Sequence, residues 1–129
     1  MINEQHTIYA LFFDLHDPVT IEVGKLGTFF FPKGHYIYVG SAKRNIRARI
    51  ERHIKVEKKK RWHIDYLRPY GEITKIVTYS SELEECERAQ QLMREINGKI
   101  IVNGFGSSDC GCPSHLIYSP RRLPPLSEV

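Results

Sequence analysis

Residues 34–65, GHYIYVGSAKRNIRARIERHIKVEKKKRWHID, carry the densest information in this chain. His35, Tyr36, Ile37, Tyr38 and Val39 alternate in character, and a period of two puts Tyr36 and Tyr38 on one face of a strand with Ile37 on the other. Gly40 and Ser41 end that strand. Asn45 is placed to cap a helix in which Ile46, Ile50 and Ile54 recur every four residues as a buried stripe. Arg49 and His53 share the same spacing on a neighbouring face, so their side chains project together. A basic run follows, then Trp62, His63, Ile64 and Asp65 in a short helix or turn over residues 62–67.

The charge of the chain is concentrated here. The 129 residues carry a net +4, but ten Lys or Arg between residues 43 and 61 face only Glu51 and Glu57, which makes that stretch +8 and the remainder −4. Lys43, Arg44, Arg47, Arg52, Lys58, Lys59, Lys60 and Arg61 are the candidate contacts for a polyanionic backbone. Much of the opposing charge is Glu82, Glu84, Glu85 and Glu87. A basic half beside an acidic cluster suits a polyanion together with a metal ion. From charge alone, a solvated helix face with a lysine loop fits equally well.

Outside the basic stretch, apolar patterning predicts strands at residues 7–14, 20–23, 28–31 and 73–79, a final strand at 115–118 and an edge strand at 99–102. Ser80 or Ser81, with Glu84 or Glu85 three or four residues on, predicts the start of a second long helix. Its inner face is Ala89, Leu92, Met93 and Ile96, and Asn97-Gly98 ends it. One domain over residues 1–118 and a loose Pro-rich tail over 119–129 are expected. No apolar run reaches the roughly 20 residues that span a bilayer. Residues 1–15 read as a first strand and not as a signal peptide, so a cytoplasmic location is the expectation. Three cysteines, Cys86, Cys110 and Cys112, are an odd number and do not read as a disulfide framework.

Three constellations bear on chemistry. Tyr9, Tyr36, Tyr38, Arg49 and His53 offer what phosphodiester hydrolysis needs: a group to position or deprotonate water, and a fork that binds phosphate and keeps its charge. Singly, each has an ordinary reading, since strand tyrosines pack and helix arginines are solvated. On the later helix, Glu85 lies one turn before Ala89 at the rim of the buried face, with Glu82 one turn earlier on a similar side. A carboxylate there, with substrate phosphate and water, would satisfy Mg²⁺ or Mn²⁺. Finally, Cys110, Cys112 and His115 offer three zinc ligands, with His63 or Asp109 as a distant fourth. Their spacing matches no standard finger and no second cysteine pair exists, so structural zinc is not expected. Trp62 either stacks on a base or belongs to the core.

These residues resemble the GIY-YIG nuclease superfamily, in its small Uri-type or DUF123 branch. The name-giving triplets correspond to Thr7-Ile8-Tyr9 and Tyr38-Val39-Gly40, and the similarity continues through Arg49-Ile50, Arg52-His53, Trp62-His63-Ile64-Asp65-Tyr66-Leu67, Glu85-Cys86 and residues 104–110, GFGSSDC. The resemblance implies an α/β domain with a small, mostly antiparallel central sheet flanked by helices, and a DNA endonuclease with one divalent metal. By position, Tyr9 would act as the general base or position the water, and Tyr38 would line the site. Arg49 would stabilise the phosphate, His53 would support the base or the leaving side, and Glu85 would hold the metal. This branch also occurs joined to DNA-repair glycosylase domains, which implies DNA repair or processing.

The chain departs from the family pattern in three places. Thr7 replaces the first glycine, one extra residue separates the second triplet from Arg49, and the segment from Gly104 to His115 stands where a C-terminal asparagine motif is usual. His63, Asp109 and His115, with Tyr36, are therefore additional site candidates. No triphosphate-binding loop is present and no membrane partner is expected. DNA, single-stranded or duplex, is the expected partner, and monomer and dimer stay open. The alternative is a nucleic-acid-binding module with little or no catalysis, using the basic stretch as its surface.

Overall fold

A strand buried on both faces needs apolar side chains at odd and even positions alike, and IYALFFDL meets that requirement. This is β1, Ile8–Leu15. The structure, a computed structural model, describes residues 2–107 and 112–120. It contains β2 (Val19–Val23), β3 (Gly27–Phe31), β4 (Gly34–Ser41), α1 (Ile46–Ile54), α2 (His63–Leu67), β5 (Glu72–Tyr79), α3 (Glu85–Glu95) and β6 (Leu116–Ser119). The main sheet has the order β5–β1–β4–β6 with every pairing antiparallel, and β2 and β3 form a separate two-stranded ribbon. This is the small α/β architecture that the sequence implied, with a mostly antiparallel sheet and helices on both sides.

Alternation along the two central strands divides the interior into two cores. Tyr9, Leu11, Phe13, Tyr36 and Tyr38 face one way. Ile46 and Ile50 of α1, Ile64 and Leu67 of α2, and Phe31 of the ribbon cover them. Ile8, Ala10, Phe12, Ile37 and Val39 face the other way, under Ala89, Leu92 and Ile96. Full burial of an isoleucine side chain such as Ile46 or Ile50 contributes about 1.5–3 kcal/mol, so α1 is anchored before any polar contact is counted.

Four expectations need correction. The stripe on α1 is Ile46, Ile50 and His53, while Ile54 is 44% exposed. At 3.6 residues per turn the seventh residue on returns to within about 20° of the start, whereas the eighth overshoots by about 80°. The second long helix begins at Glu85 with Glu84 as its N-cap, not at Ser80 or Ser81. Its Glu84/Glu87 capping box sits one turn before Ala89 and Leu92, and an earlier start would bury nothing more. Glu82 therefore precedes the helix and shares no face with Glu85. Residues 99–102 form no strand; Lys99 alone bridges to Tyr118. The chain passes there from one core to the other, since Ile96 packs below the sheet and Val102 above it, and it cannot run alongside β6.

Candidate functional site

Tyr9 of β1 lies directly across the ladder from Gly40 of β4. The phenol ring of Tyr9 rests over Gly40 so closely that a Cβ there would overlap the Tyr9 hydroxyl. Glycine at this position lets the ring lie flat across the end of the strand. Tyr38, two residues earlier on the same face, is kept in place by Gly106, whose φ of 72° and short approach to the Tyr38 ring likewise exclude a side chain. From α1, Arg49 donates Nη1–H to the carbonyl of Ser41 at 2.7 Å. From α3, Glu85 completes the ring of groups. Tyr9, Tyr38, Arg49, Trp62, His63 and Glu85 line one cleft of about 270 Å³.

His53 stands behind this wall and not on it. It is 1% exposed, and its Nε2 is hydrogen-bonded to the Tyr9 hydroxyl at 2.7 Å. Burial, and then the charges of Lys58, Arg52 and Arg49, lower its pKa to about 3 against an opposing pull from Asp65. Burial also raises the pKa of Tyr9 well above the ordinary phenol value, reinforced by Tyr38 and Glu85 and opposed by the charge and hydrogen bond of Arg49. Tyr38 is raised as well, by burial first and then by Glu85 and Asp65. Both tyrosines are thus neutral phenols at neutral pH, and His53 is a neutral imidazole.

The depressed His53 pKa has a consequence for stability. Below pH 6.5 the unfolded chain accepts a proton that the native His53 refuses, so stability falls as pH drops from about 6.5 toward 3, by up to about 1.4 kcal/mol per pH unit. Burial lowers His63 and His115 in the same direction, so a variant is needed to isolate the effect. Urea unfolding at pH 7 and pH 5 should show the native protein losing about 2 kcal/mol more than His53→Gln. Equal losses in both proteins would remove the assignment.

Of the remaining site candidates, His63 is in the cleft, with its Nδ1 accepting from Gly106 N–H at 2.8 Å. Tyr36 is not: it is fully buried between Phe13 and Tyr118 and donates its hydroxyl to the carbonyl of Pro32, away from the cleft. His115 is buried behind Glu85, with Nδ1 3.9 Å from the Glu85 carboxylate. Asp109 and Cys110 lie outside the described residues.

The basic residues fall into two groups. Arg52 and Lys58 spend their charge inside the fold, on Asp65: Arg52 makes two hydrogen bonds at 3.0 and 3.2 Å, and the Lys58 ammonium is 3.6 Å away. Lys58 also donates to the carbonyls of Arg52 and His53 at the end of α1. Lys43, Arg44, Lys59, Lys60 and Arg61 are exposed, or border grooves next to the cleft, and Arg61 lines the cleft itself. Arg47 is exposed, with its Nε 3.4 Å from Glu4. The half-buried Trp62 carries three guanidinium groups within 5.3 Å of its ring centre, those of Arg49, Arg52 and Arg61. Its ring organises arginines at the mouth of the cleft.

The cysteines depart from expectation. Cys86, at the start of α3, and Cys112, just before β6, are joined as a disulfide, their Cα atoms 5.8 Å apart across 26 residues of sequence. The sheet brings the two segments together, since α3 packs against both β4 and β6. His115 Nε2 lies 3.2 Å from Cys86 Sγ.

A family model described as "Domain of unknown function DUF123" matches residues 8–129. The chain belongs to the DUF123 family. No curated protein and no solved structure matches it. The match takes in β1, with Tyr9, and every later element of the DUF123 domain that supplies the cleft. No helix among the described residues is long and apolar enough to cross a membrane.

The donor set suits a hard divalent cation. Among the described residues Glu85 is the carboxylate that lines the cleft, together with the phenols of Tyr9 and Tyr38. Mg²⁺ and Mn²⁺ favour such oxygen donors, with water and substrate completing the shell. Sequence reasoning missed the position of Asp65. Its side chain is fully buried and accepts from Arg61 N–H, Trp62 N–H and Arg52 at once. The signal was available: an aspartate three residues after Trp62 is a capping-box position.

Proposed function

We propose that this DUF123 domain is a GIY-YIG-type endonuclease that hydrolyses DNA phosphodiester bonds with one divalent metal, in DNA repair or processing. The observation that carries the reading is the convergence of two phenols, a fixed guanidinium and one carboxylate in a single cleft beside exposed lysines and arginines. In this reading Arg49, held by Ser41 and the Trp62 ring, binds two oxygens of the scissile phosphate with its planar fork. The neutral His53 Nε2 accepts a hydrogen bond from the Tyr9 hydroxyl, which keeps its proton and turns an oxygen lone pair toward the cleft to orient the attacking water. Tyr38 donates its O–H to phosphate or water. Bound on Glu85, Mg²⁺ or Mn²⁺ would supply Lewis-acid stabilisation of the phosphoryl oxygens. Lys43, Lys59, Lys60 and Arg61 hold the flanking phosphates. One such site cuts one strand per encounter.

The competing reading, a binding module with little catalysis, draws on the raised pKa of both tyrosines, which makes neither a ready base. Incubation with single-stranded and duplex DNA, with Mg²⁺ or Mn²⁺ and with chelator, separates the two. Cleavage is expected with metal and not with chelator. Glu85→Gln should lower it on the order of 10² or more and weaken Mn²⁺ binding seen by calorimetry, while DNA binding persists. Cleavage that survives chelator, or Glu85→Gln at native rate, would overturn the one-metal mechanism. Steeply salt-dependent binding with no cleavage under any condition would favour the module.

A further inference from the structure

The sulfur and nitrogen atoms around the start of α3 form a second centre, separate from the cleft. Cys86 Sγ, Cys112 Sγ and one ring nitrogen of His115 all lie within 4.8 Å of one another, and Cys86 Sγ is 3.2 Å from His115 Nε2. They come from two unconnected segments. Cys86 is in the first turn of α3, while Cys112 and His115 flank Ser114, whose hydroxyl bonds the carbonyls of Phe105 and Leu116. His115 is anchored further by its N–H to Phe105 and is 2% exposed. The donors are therefore held by the fold on both sides.

In a tetrahedral zinc site, with Zn–S about 2.3 Å and Zn–N about 2.0 Å, neighbouring donors stand roughly 3.5–3.8 Å apart. A group already within 4.8 Å needs only small side-chain adjustments to reach that spacing. Two thiolates and an imidazole select zinc or a similar thiophilic ion over Mg²⁺ or Mn²⁺. The histidine is also prepared in the manner of a metal ligand. With Nε2 toward the sulfur, its Nδ1 faces the Glu85 carboxylate at 3.9 Å, longer than a hydrogen bond but on the side from which a carboxylate orients a metal-bound histidine once the two close up.

We propose that, when Cys86 and Cys112 are reduced, they and His115 bind one zinc ion, which clamps the start of α3 to the segment leading into β6. The disulfide and the zinc site are two states of the same sulfurs. A dithiol reductant gives two electrons and two protons to the Cys86–Cys112 bond and is itself oxidised to a disulfide. Zinc then displaces the two thiol protons, and a further donor or water fills the fourth position. The expectation that cysteine spacing disfavours zinc considered Cys110, Cys112 and His115; the fold supplies Cys86 instead. Because the centre abuts Glu85, it sets the position of that carboxylate from behind.

The test needs no nuclease activity. Full-length protein prepared with a dithiol and zinc, then desalted, should contain about one zinc per chain by elemental analysis. Replacing zinc with Co²⁺ should give the thiolate-to-metal charge-transfer band and the visible absorption of a tetrahedral site. Both should vanish in Cys86→Ser and His115→Ala and persist in His16→Ala, which alters an exposed residue paired with Glu72. Treatment with a disulfide-forming oxidant should release the metal and remove two titratable thiols together. Reduced wild-type protein that is folded by circular dichroism yet holds no zinc and shows no cobalt band would overturn the proposal. So would a cobalt band undiminished in the Cys86→Ser or His115→Ala protein. The wild-type titration keeps the test decisive should either variant fail to fold.

Discussion

Replacing Arg49 with alanine is expected to lower DNA cleavage on the order of 10² or more while leaving the fold nearly intact. The side chain is half-buried on α1, and its neighbours Ile46 and Ile50 anchor the helix without it. The structural loss is the hydrogen bond to the Ser41 carbonyl, worth about 1 kcal/mol, together with the contacts to the Tyr9 hydroxyl and the Trp62 ring, partly offset by the helix propensity of alanine. The functional loss is larger because, among the described residues that line the cleft, no other guanidinium is fixed in the same way. Arg61 also lines the cleft, but from an exposed position after the lysine run. Arg49→Lys should recover little, since a point charge cannot reproduce a planar fork. Arg47→Ala is the control: Arg47 is exposed, with Glu4 as its partner, and its loss should mainly weaken DNA binding in a salt-dependent way. Single-turnover cleavage rates for the three variants decide the matter. Equal losses for Arg47→Ala and Arg49→Ala would assign the activity to a diffuse basic surface.

Much of this site was legible in the sequence, and the reasons are local. Period-two alternation in β4 placed Tyr36 and Tyr38 on the face that carries the cleft, and the structure agrees. The i, i+4 relation of Arg49 and His53 put both on the side of α1 that faces the tyrosines. What sequence could not show is how far each residue lies from solvent. His53 replaced Ile54 in the buried stripe because the helical period favours the seventh position over the eighth. Tyr36 shares a face with Tyr38 but is two residues further from the end of the strand, enough to leave it in the core. Arg52 and Lys58 look identical to Lys59 and Lys60 in a charge count, and only the fold shows that Asp65 has claimed them. Cys86 and Cys112 needed the packing of α3 against β6 to become neighbours. Pairings between distant segments are set by topology, and composition and spacing carry no record of them.

The largest effect on stability is expected at Asp65, away from the reacting groups. Its side chain is fully buried, and burial alone would push the carboxyl pKa up. Hydrogen bonds from Arg52, Trp62 N–H and Arg61 N–H, with the charge of Lys58, outweigh burial and hold it below the ordinary carboxylate value. Asp65→Ala removes the acceptor from four donors at once and leaves two cations beside α1 without a counter-charge. Breaking a buried pair in this way costs about 3–5 kcal/mol. Asp65→Asn should cost less, because an amide oxygen still caps α2, but it leaves Arg52 and Lys58 uncompensated. The effect depends on pH with a definite sign. A carboxyl whose folded pKa is depressed stabilises above about pH 3.9 and loses that contribution as pH falls through the folded value. The gap between wild type and Asp65→Asn in urea unfolding should therefore be full at pH 7 and shrink below about pH 4. Trp62 depends on the same carboxylate through its N–H, so the variants should also loosen the ring that holds Arg49 and show altered tryptophan fluorescence before unfolding. A loss below about 1 kcal/mol in Asp65→Ala would mean that the network is no stronger than an exposed ion pair.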